Sequence, residues 1–213
     1  MTPRQLSPHR GRHALTLSAA ALLAAATTAA GMIDTAASAS TIGPTAAMTV
    51  TSPWCGITWG SLEKILPGTF GPGTPTGTPS VTGVRSGRHT CYDRLVVDVR
   101  GHAPGVSVGY VNVVRSEGSG EPVSLAGGAL ISVVVHAPST DTDTGTPTYV
   151  PADASDLTAV AGDETFRQVA WAGSYEGTTS IGLGVRARLP FRVFTLAGPG
   201  DGSRVVIDVA HHW

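Results

Sequence analysis

From residue 81 to residue 211 the apolar residues come in short runs, and each run is closed by glycine, proline or a polar turn cluster before a helix of useful length could form. That punctuation restricts the chain to strands. The 27 Gly and 15 Pro among 213 residues reinforce it, since both are poor inside helices. Charged residues make up 14 % and aromatics 6 %, which argues against a large helical bundle. An all-β domain is therefore expected over residues 81–213.

The segment R-L-V-V-D-V-R at 94–100 alternates, with Leu95, Val97 and Val99 on one face and Arg94, Val96, Asp98 and Arg100 on the other. The first face is core. A strand over 106–114 carries Val106, Val108 and Tyr110 in register, and residues 116–121 read as a turn. Residues 129–137 are apolar enough to be covered on both faces. A Thr/Asp/Pro loop follows at 138–156, long enough to be mobile, and a short helix is expected at 156–162. Strands at 165–171, 179–188, 191–196 and 203–211 complete the body, the first two joined through the turn at 173–177. The run Arg94 to Val99 is echoed by Arg204 to Val209, each placing an Arg and, four residues later, an Asp on one face. The echo suggests two similar halves facing each other, or convergence on a common strand pattern.

The N-terminus reads as an address. Arg4, Arg10 and Arg12 precede an uncharged Ala/Leu-rich stretch, and Ala37-Ser38-Ala39 provides a small-residue cleavage site. Residues 1–39 are thus expected to be a secretory signal peptide, with an uncleaved anchor as the alternative. Neither a lipid anchor nor a twin-arginine signal fits, because no Cys stands just after the apolar run, Cys55 lying far beyond it, and Gly11 separates Arg10 from Arg12. After cleavage no membrane span is expected. Residues 40–80 read as a flexible lead-in and a Gly/Pro-rich arm, with room for one helical turn near Trp54 and Trp59. Cys55 and Cys91 are the only two cysteines, and an even count in an oxidising compartment argues for a disulfide rather than a reactive thiol. Closing a loop of ~36 residues stabilises a fold by about 3.5–4 kcal/mol in the chain-entropy account.

Removing residues 1–39 leaves 11 basic and 14 acidic residues, so nucleic acid and anionic membranes are not expected partners. The search for catalytic chemistry returns little. No G-x-S-x-G elbow, phosphate loop, dinucleotide fingerprint or zinc-peptidase helix motif occurs. His211 and His212 are adjacent, point to opposite faces of a strand, and read as exposed terminal histidines rather than metal ligands. Asp141-Thr142-Asp143-Thr144-Gly145 begins like a calcium loop, but Gly comes one position early and Ala152 stands where Glu is required. No metal, cofactor or catalytic residue is assigned. Binding is the remaining reading. Arg167, Trp171 and Tyr175 lie together near a turn, and Arg186, Arg188 and Arg192 follow on neighbouring segments. Aromatic faces and guanidinium groups suit sugars and carboxylates. The competing reading puts Phe166 and Trp171 in the core and the arginines on a solvated face.

The runs C-Y-D-R-L-V-V-D-V from Cys91, F-R-Q-V-A-W-A-G-S-Y-E-G from Phe166, I-G-L-G-V-R-A-R-L-P-F-R-V from Ile181 and R-V-V-I-D-V-A-H from Arg204 together resemble the AMIN-like domain of exported bacterial proteins. Trp59-Gly60-Ser61-Leu62 and Gly83 to His89 fit the same family's N-terminal arm, so the resemblance spans about Cys55 to Trp213. It implies a small β-sandwich of two facing sheets. It also implies a role in targeting to the envelope, through peptidoglycan in the related amidase modules. No amidase domain is expected after Trp213, and the family lends no catalytic residues. The leading expectation is a non-catalytic, secreted, wall-associated module that binds peptidoglycan. A module docking another envelope protein is the alternative, and a cell-wall hydrolase comes third.

Overall fold

The computed structural model describes residues 54–69 and 77–213. The expected signal peptide at 1–39, the lead-in up to residue 53 and the part of the arm at 70–76 lie outside the described residues. Among the described residues eleven strands follow a 3-10 turn at Trp54–Gly56: β1 Lys64–Leu66, β2 Ser80–Arg88, β3 Tyr92–Arg100, β4 Val106–Val111, β5 Val114–Arg115, β6 Pro122–Val123, β7 Ala129–Val135, β8 Phe166–Tyr175, β9 Thr178–Val185, β10 Phe191–Ala197 and β11 Gly202–Ala210. They form a five-stranded sheet in the order β1-β4-β7-β9-β8, a four-stranded sheet in the order β10-β11-β3-β2 and the small hairpin β5-β6, all antiparallel. Among the described residues no helix is long and apolar enough to cross a membrane.

Alternation builds the sandwich. Leu95, Val97, Val99, Val205, Ile207 and Val209 from one sheet meet Val106, Val108, Ile131, Val133, Ile181 and Leu183 from the other in a single buried cluster. Each such side chain contributes roughly 1.5–3 kcal/mol through burial. The two open sides of the sandwich are closed differently. On one side the arm pairs Gly60 with Phe191 at the margin of the four-stranded sheet and then runs as β1 beside β4. The disulfide between Cys55 and Cys91 ties its start to the entry of β3, with the two Cα atoms 6.2 Å apart. Trp54 donates its indole N–H to the Cys91 carbonyl, which also receives the His211 amide.

On the other side, residues 138–165 run between the margins of β2 and β8. The Leu157 amide bonds the Val169 carbonyl, the Trp171 amide bonds Ala154, and Ser86 bonds Thr158 and Ala159. The expected helix at 156–162 does not form. Those backbone groups are used to satisfy two sheet margins, which a helix would keep for itself. The expected free loop is likewise fastened, Thr148 donating its hydroxyl to Val81 and Asp141 accepting the amides of Asp143 and Thr144.

The repeated Arg/Asp pattern has a different meaning from two facing halves. Strands β3 and β11 are neighbours in one sheet, and their antiparallel register sets Arg94 opposite Asp208 and Asp98 opposite Arg204. Reversing direction aligns the Arg of one copy with the Asp of the other, so the echo is a cross-strand charge pattern. The expected strand at 106–114 breaks after Val111, where the chain leaves the sheet to begin the β5-β6 hairpin. Strand β7 buries Ile131, Val133 and Val135, whereas Leu130, Ser132 and Val134 on its outer face stay partly accessible, against the expectation of cover on both faces. The turn between β8 and β9 narrows to Glu176-Gly177, both at positive φ as a two-residue hairpin requires.

Candidate functional site

The outer face of the five-stranded sheet is half covered. Segment 124–128 crosses β9 closely enough that a Cβ on Gly184 would lie 1.9 Å from the Ala126 carbonyl oxygen, and one on Gly182 would lie 2.5 Å from Leu125. Gln168 holds this segment by accepting the Ala126 amide, while its own amide donates to Ser155. Glu117, in the hairpin turn, takes the Ser180 hydroxyl at 2.5 Å.

The β4-β7 half remains open as a trough. Its floor carries Ser107, Gly109, Ser132 and Val134, and Leu62 and Glu63 of the arm form one wall. The hollow measures about 390 Å³, and a second of similar size lies over Val111, Leu125 and Gly127 to Leu130. Tyr110 and Arg188 border both. The Arg188 guanidinium lies over the Tyr110 ring, 4.7 Å from its centre, and among the described residues it has no carboxylate partner. The Tyr110 hydroxyl donates to the Leu189 carbonyl at 2.6 Å and accepts the Leu189 amide at 2.8 Å. Burial pushes the Tyr110 phenol above its ordinary value, against the opposing pull of Leu189 and Arg188. The ring is thereby fixed, neutral, and capped by a cation free to meet an anion. Hydroxyls on the floor, an amphipathic ring and a free guanidinium are the chemistry with which proteins hold sugars and carboxylates.

Of the six residues singled out from sequence, only Arg188 borders this trough. Trp171 lies in β8, partly buried against the core and beside Tyr149, with ring centres 5.5 Å apart. Tyr175 ends the same strand, exposed near the hairpin glycine Gly118. Arg167 folds back onto the carbonyls of Glu164 and Phe166. Arg186 donates to the carbonyl of His211. Arg192 sits on the opposite sheet, bonded to Asp208. Ser132 is missed as a site residue because 129–137 reads as covered on both faces, Tyr110 because it keeps the inward phase of Val106 and Val108, and Ser107 because nothing in its strand pattern marks it. The small outward residues Ser107, Gly109 and Ser132 were the available signal.

The sequence model of the AMIN-like domain matches residues 79–211, well over half of the chain. The chain belongs to the AMIN-like domain family. No curated protein and no solved structure matches it. The matched span includes every strand of this AMIN-like domain except β1, and it also leaves out the Cys55 end of the disulfide.

The C-terminal end of the AMIN-like domain corrects one expectation. His211 is not an exposed terminal histidine but is buried at 1 % exposure, in phase with Val205, Ile207 and Val209. Its Nε2 lies 3.1 Å from Asp93 Oδ1 and its Nδ1 3.3 Å from Glu164. Asp93 Oδ2 accepts the amides of Thr165 and Phe166. Asp93 shares the inward face of β3 with Leu95, Val97 and Val99, so strand phase was the signal for both groups. The carboxylates flank opposite edges of the imidazole and do not converge on one point, and among the described residues no cluster fit for a metal ion occurs.

Nearby, burial first and then the Asp93 charge push the Asp163 carboxyl above its ordinary value, and its Oδ2 has no partner. An acid whose folded value is raised destabilises the fold once ionised, and that cost disappears as pH falls below its unfolded value of about 4. Asp163→Asn is expected to raise the melting temperature at neutral pH. The gain vanishes when the same melts are run at about pH 3.5, below the ordinary carboxylate range.

Proposed function

We propose that this AMIN-like chain is a non-catalytic, exported envelope module that binds peptidoglycan through the trough over β4 and β7. Membership of a family associated with exported and envelope proteins supports the setting. The observation that carries the ligand is the exposed Arg188 guanidinium stacked on Tyr110 above a floor of small and hydroxyl side chains. Wall glycan offers N-acetyl and hydroxyl groups to the floor and the ring, and its stem peptides offer carboxylates to Arg188. The hollows are shallow and open, which suits an extended polymer better than an enclosed small substrate.

The test is co-sedimentation of the oxidised protein with purified peptidoglycan at low and at moderate salt. Binding is expected to persist at moderate salt, where diffuse charge attraction is screened. Arg188→Ala is expected to weaken it by about tenfold, as loss of one charge-assisted contact implies, with an unchanged melting temperature. Retention equal to that of the unaltered protein removes Arg188 from the site.

A second reading has its own observation. Leu62 and Ile65 are 77 % and 69 % exposed beside the marginal strand β1, a place where another envelope protein could add a strand. Co-purification with one protein partner, together with no preference for the wall polymer, would favour that reading.

A further inference from the structure

The outer face of the four-stranded sheet carries a second constellation. Register sets Arg192, Asp208, Arg94 and Gly87 in one row across β10, β11, β3 and β2. Asp208 is fully buried and serves both arginines, accepting Arg94 Nε at 2.6 Å and Nη2 at 2.9 Å, and Arg192 Nε at 2.8 Å. One carboxylate between two guanidiniums leaves a net positive charge. The next two rows, Phe194 to Arg85 and Leu196 to Gly83, add Arg85, Arg204 and Asp98, so the three rows hold four guanidiniums against two carboxylates. Asp98 pairs with Arg85, while Arg204 donates to the Ala197 carbonyl.

The two central guanidiniums are held rather than free. Arg192 lies 5.1–5.5 Å from the ring centres of Trp59, Tyr92 and Phe194, and Arg94 lies 5.1 Å and 5.5 Å from Tyr92 and Phe194. Both keep part of their surface in solvent. The bonds of Arg94 use Nε and Nη2, and Arg192 meets Asp208 through Nε and Nη2, leaving each Nη1 without an acceptor among the described residues. At the end of the row, a Cβ on Gly87 would meet nothing within 4 Å. Fixed donors with spare N–H groups, a surplus positive charge, aromatic walls and open space beside them fit a planar anion attached to a ring.

We propose that Arg94 and Arg192 form a carboxylate-binding site, separate from the trough, that takes a sugar bearing an acid group, the ring of which packs on Trp59, since Tyr92 is stacked by His89 and lies against both guanidiniums. The site stands on its own geometry and shares with the wall reading only the sugar used as its probe.

The experiment titrates the labelled protein with N-acetylmuramic acid and follows the arginine Nε–H and tryptophan indole N–H signals by NMR. N-acetylglucosamine, which lacks the lactyl carboxylate, is the neutral comparison, and inorganic phosphate at equal ionic strength is the competitor. Saturable shifts of the Arg94, Arg192 and Trp59 signals are expected with the acid sugar alone, with weak displacement by phosphate. Because Arg94 and Arg192 neutralise a buried carboxylate, their removal risks the fold, and Gly87 supplies the decisive variant. Gly87→Glu places a carboxylate directly opposite Arg94 and is expected to weaken sugar binding by about tenfold, the scale of one charge-assisted contact. Gly87→Gln, of the same size and uncharged, is expected to leave most of it.

Equal response to both sugars, equal competition by phosphate, or indifference to Gly87→Glu would overturn the site. Arg188→Ala separates the two claims. Loss of wall binding in that variant with the acid-sugar shifts intact leaves this site standing. Wall binding without any acid-sugar response overturns this site and leaves the trough.

Discussion

Asp93→Ala is expected to cost about 3–5 kcal/mol, the range for removing one partner of a buried charged network. The carboxylate is wholly buried, and it bonds the amides that open β8 in one sheet while standing on β3 in the other. Its loss leaves the Thr165 and Phe166 amides and a ring nitrogen of His211 without an acceptor in the interior, and each such orphan costs about 1–3 kcal/mol. Asp93→Asn, which keeps one carbonyl oxygen for those amides, is expected to lose less. Urea unfolding followed by tryptophan fluorescence measures both. A midpoint for Asp93→Ala within error of the parent would mean that this tie between the sheets does not bear on stability.

Gly184→Ala is the second large effect. The added methyl cannot avoid the Ala126 carbonyl, because both are backbone-anchored, and overpacking of this kind costs typically 1–3 kcal/mol. Gly182→Ala meets side chains rather than backbone, the end of Leu125 at 2.5 Å and Val114 at 3.3 Å, and is expected to cost less. The ordering is the test, since equal costs would mean that segment 124–128 does not lie on β9 as described. Shifting that segment also moves Leu125 and Gly127, which line the second hollow, so Gly184→Ala is expected to reduce wall binding as well as stability.

These effects mark how far the residues themselves could be read. Clean alternation made β3 legible, with Leu95, Val97 and Val99 inward as expected, and an even count of two cysteines in a chain read as exported was enough for the Cys55–Cys91 bridge. Turn residues located the hairpins to within a few positions. Partnering was less legible. The Arg/Asp echo was visible, yet only the antiparallel register of β3 against β11 turned it into cross-strand pairs. Asp93 and His211 lay on the apolar phase of their strands, and their polarity hid what the phase already implied.

The trough was hidden for the opposite reason. Leu130 to Val135 is uniformly apolar apart from Ser132, and composition cannot tell a strand covered on both faces from one covered on a single face. What uncovers β7 is where a distant hairpin lands, and that is set by the glycines of β9. Arg188 was visible as one of several arginines, but its lack of a carboxylate partner among the described residues emerges only from tertiary structure, which engages Arg186 and Arg192 elsewhere.

The central claim is that wall glycopeptide is recognised on the β4-β7 face. Titrating the isotopically labelled protein with a soluble disaccharide-peptide fragment of peptidoglycan, and following backbone amide signals, tests it most directly. Saturable shifts are expected, concentrated at Ser107, Gly109, Tyr110, Ser132 and Arg188 and lost in Arg188→Ala. Shifts absent from that face, or confined to residues 138–165, would contradict it.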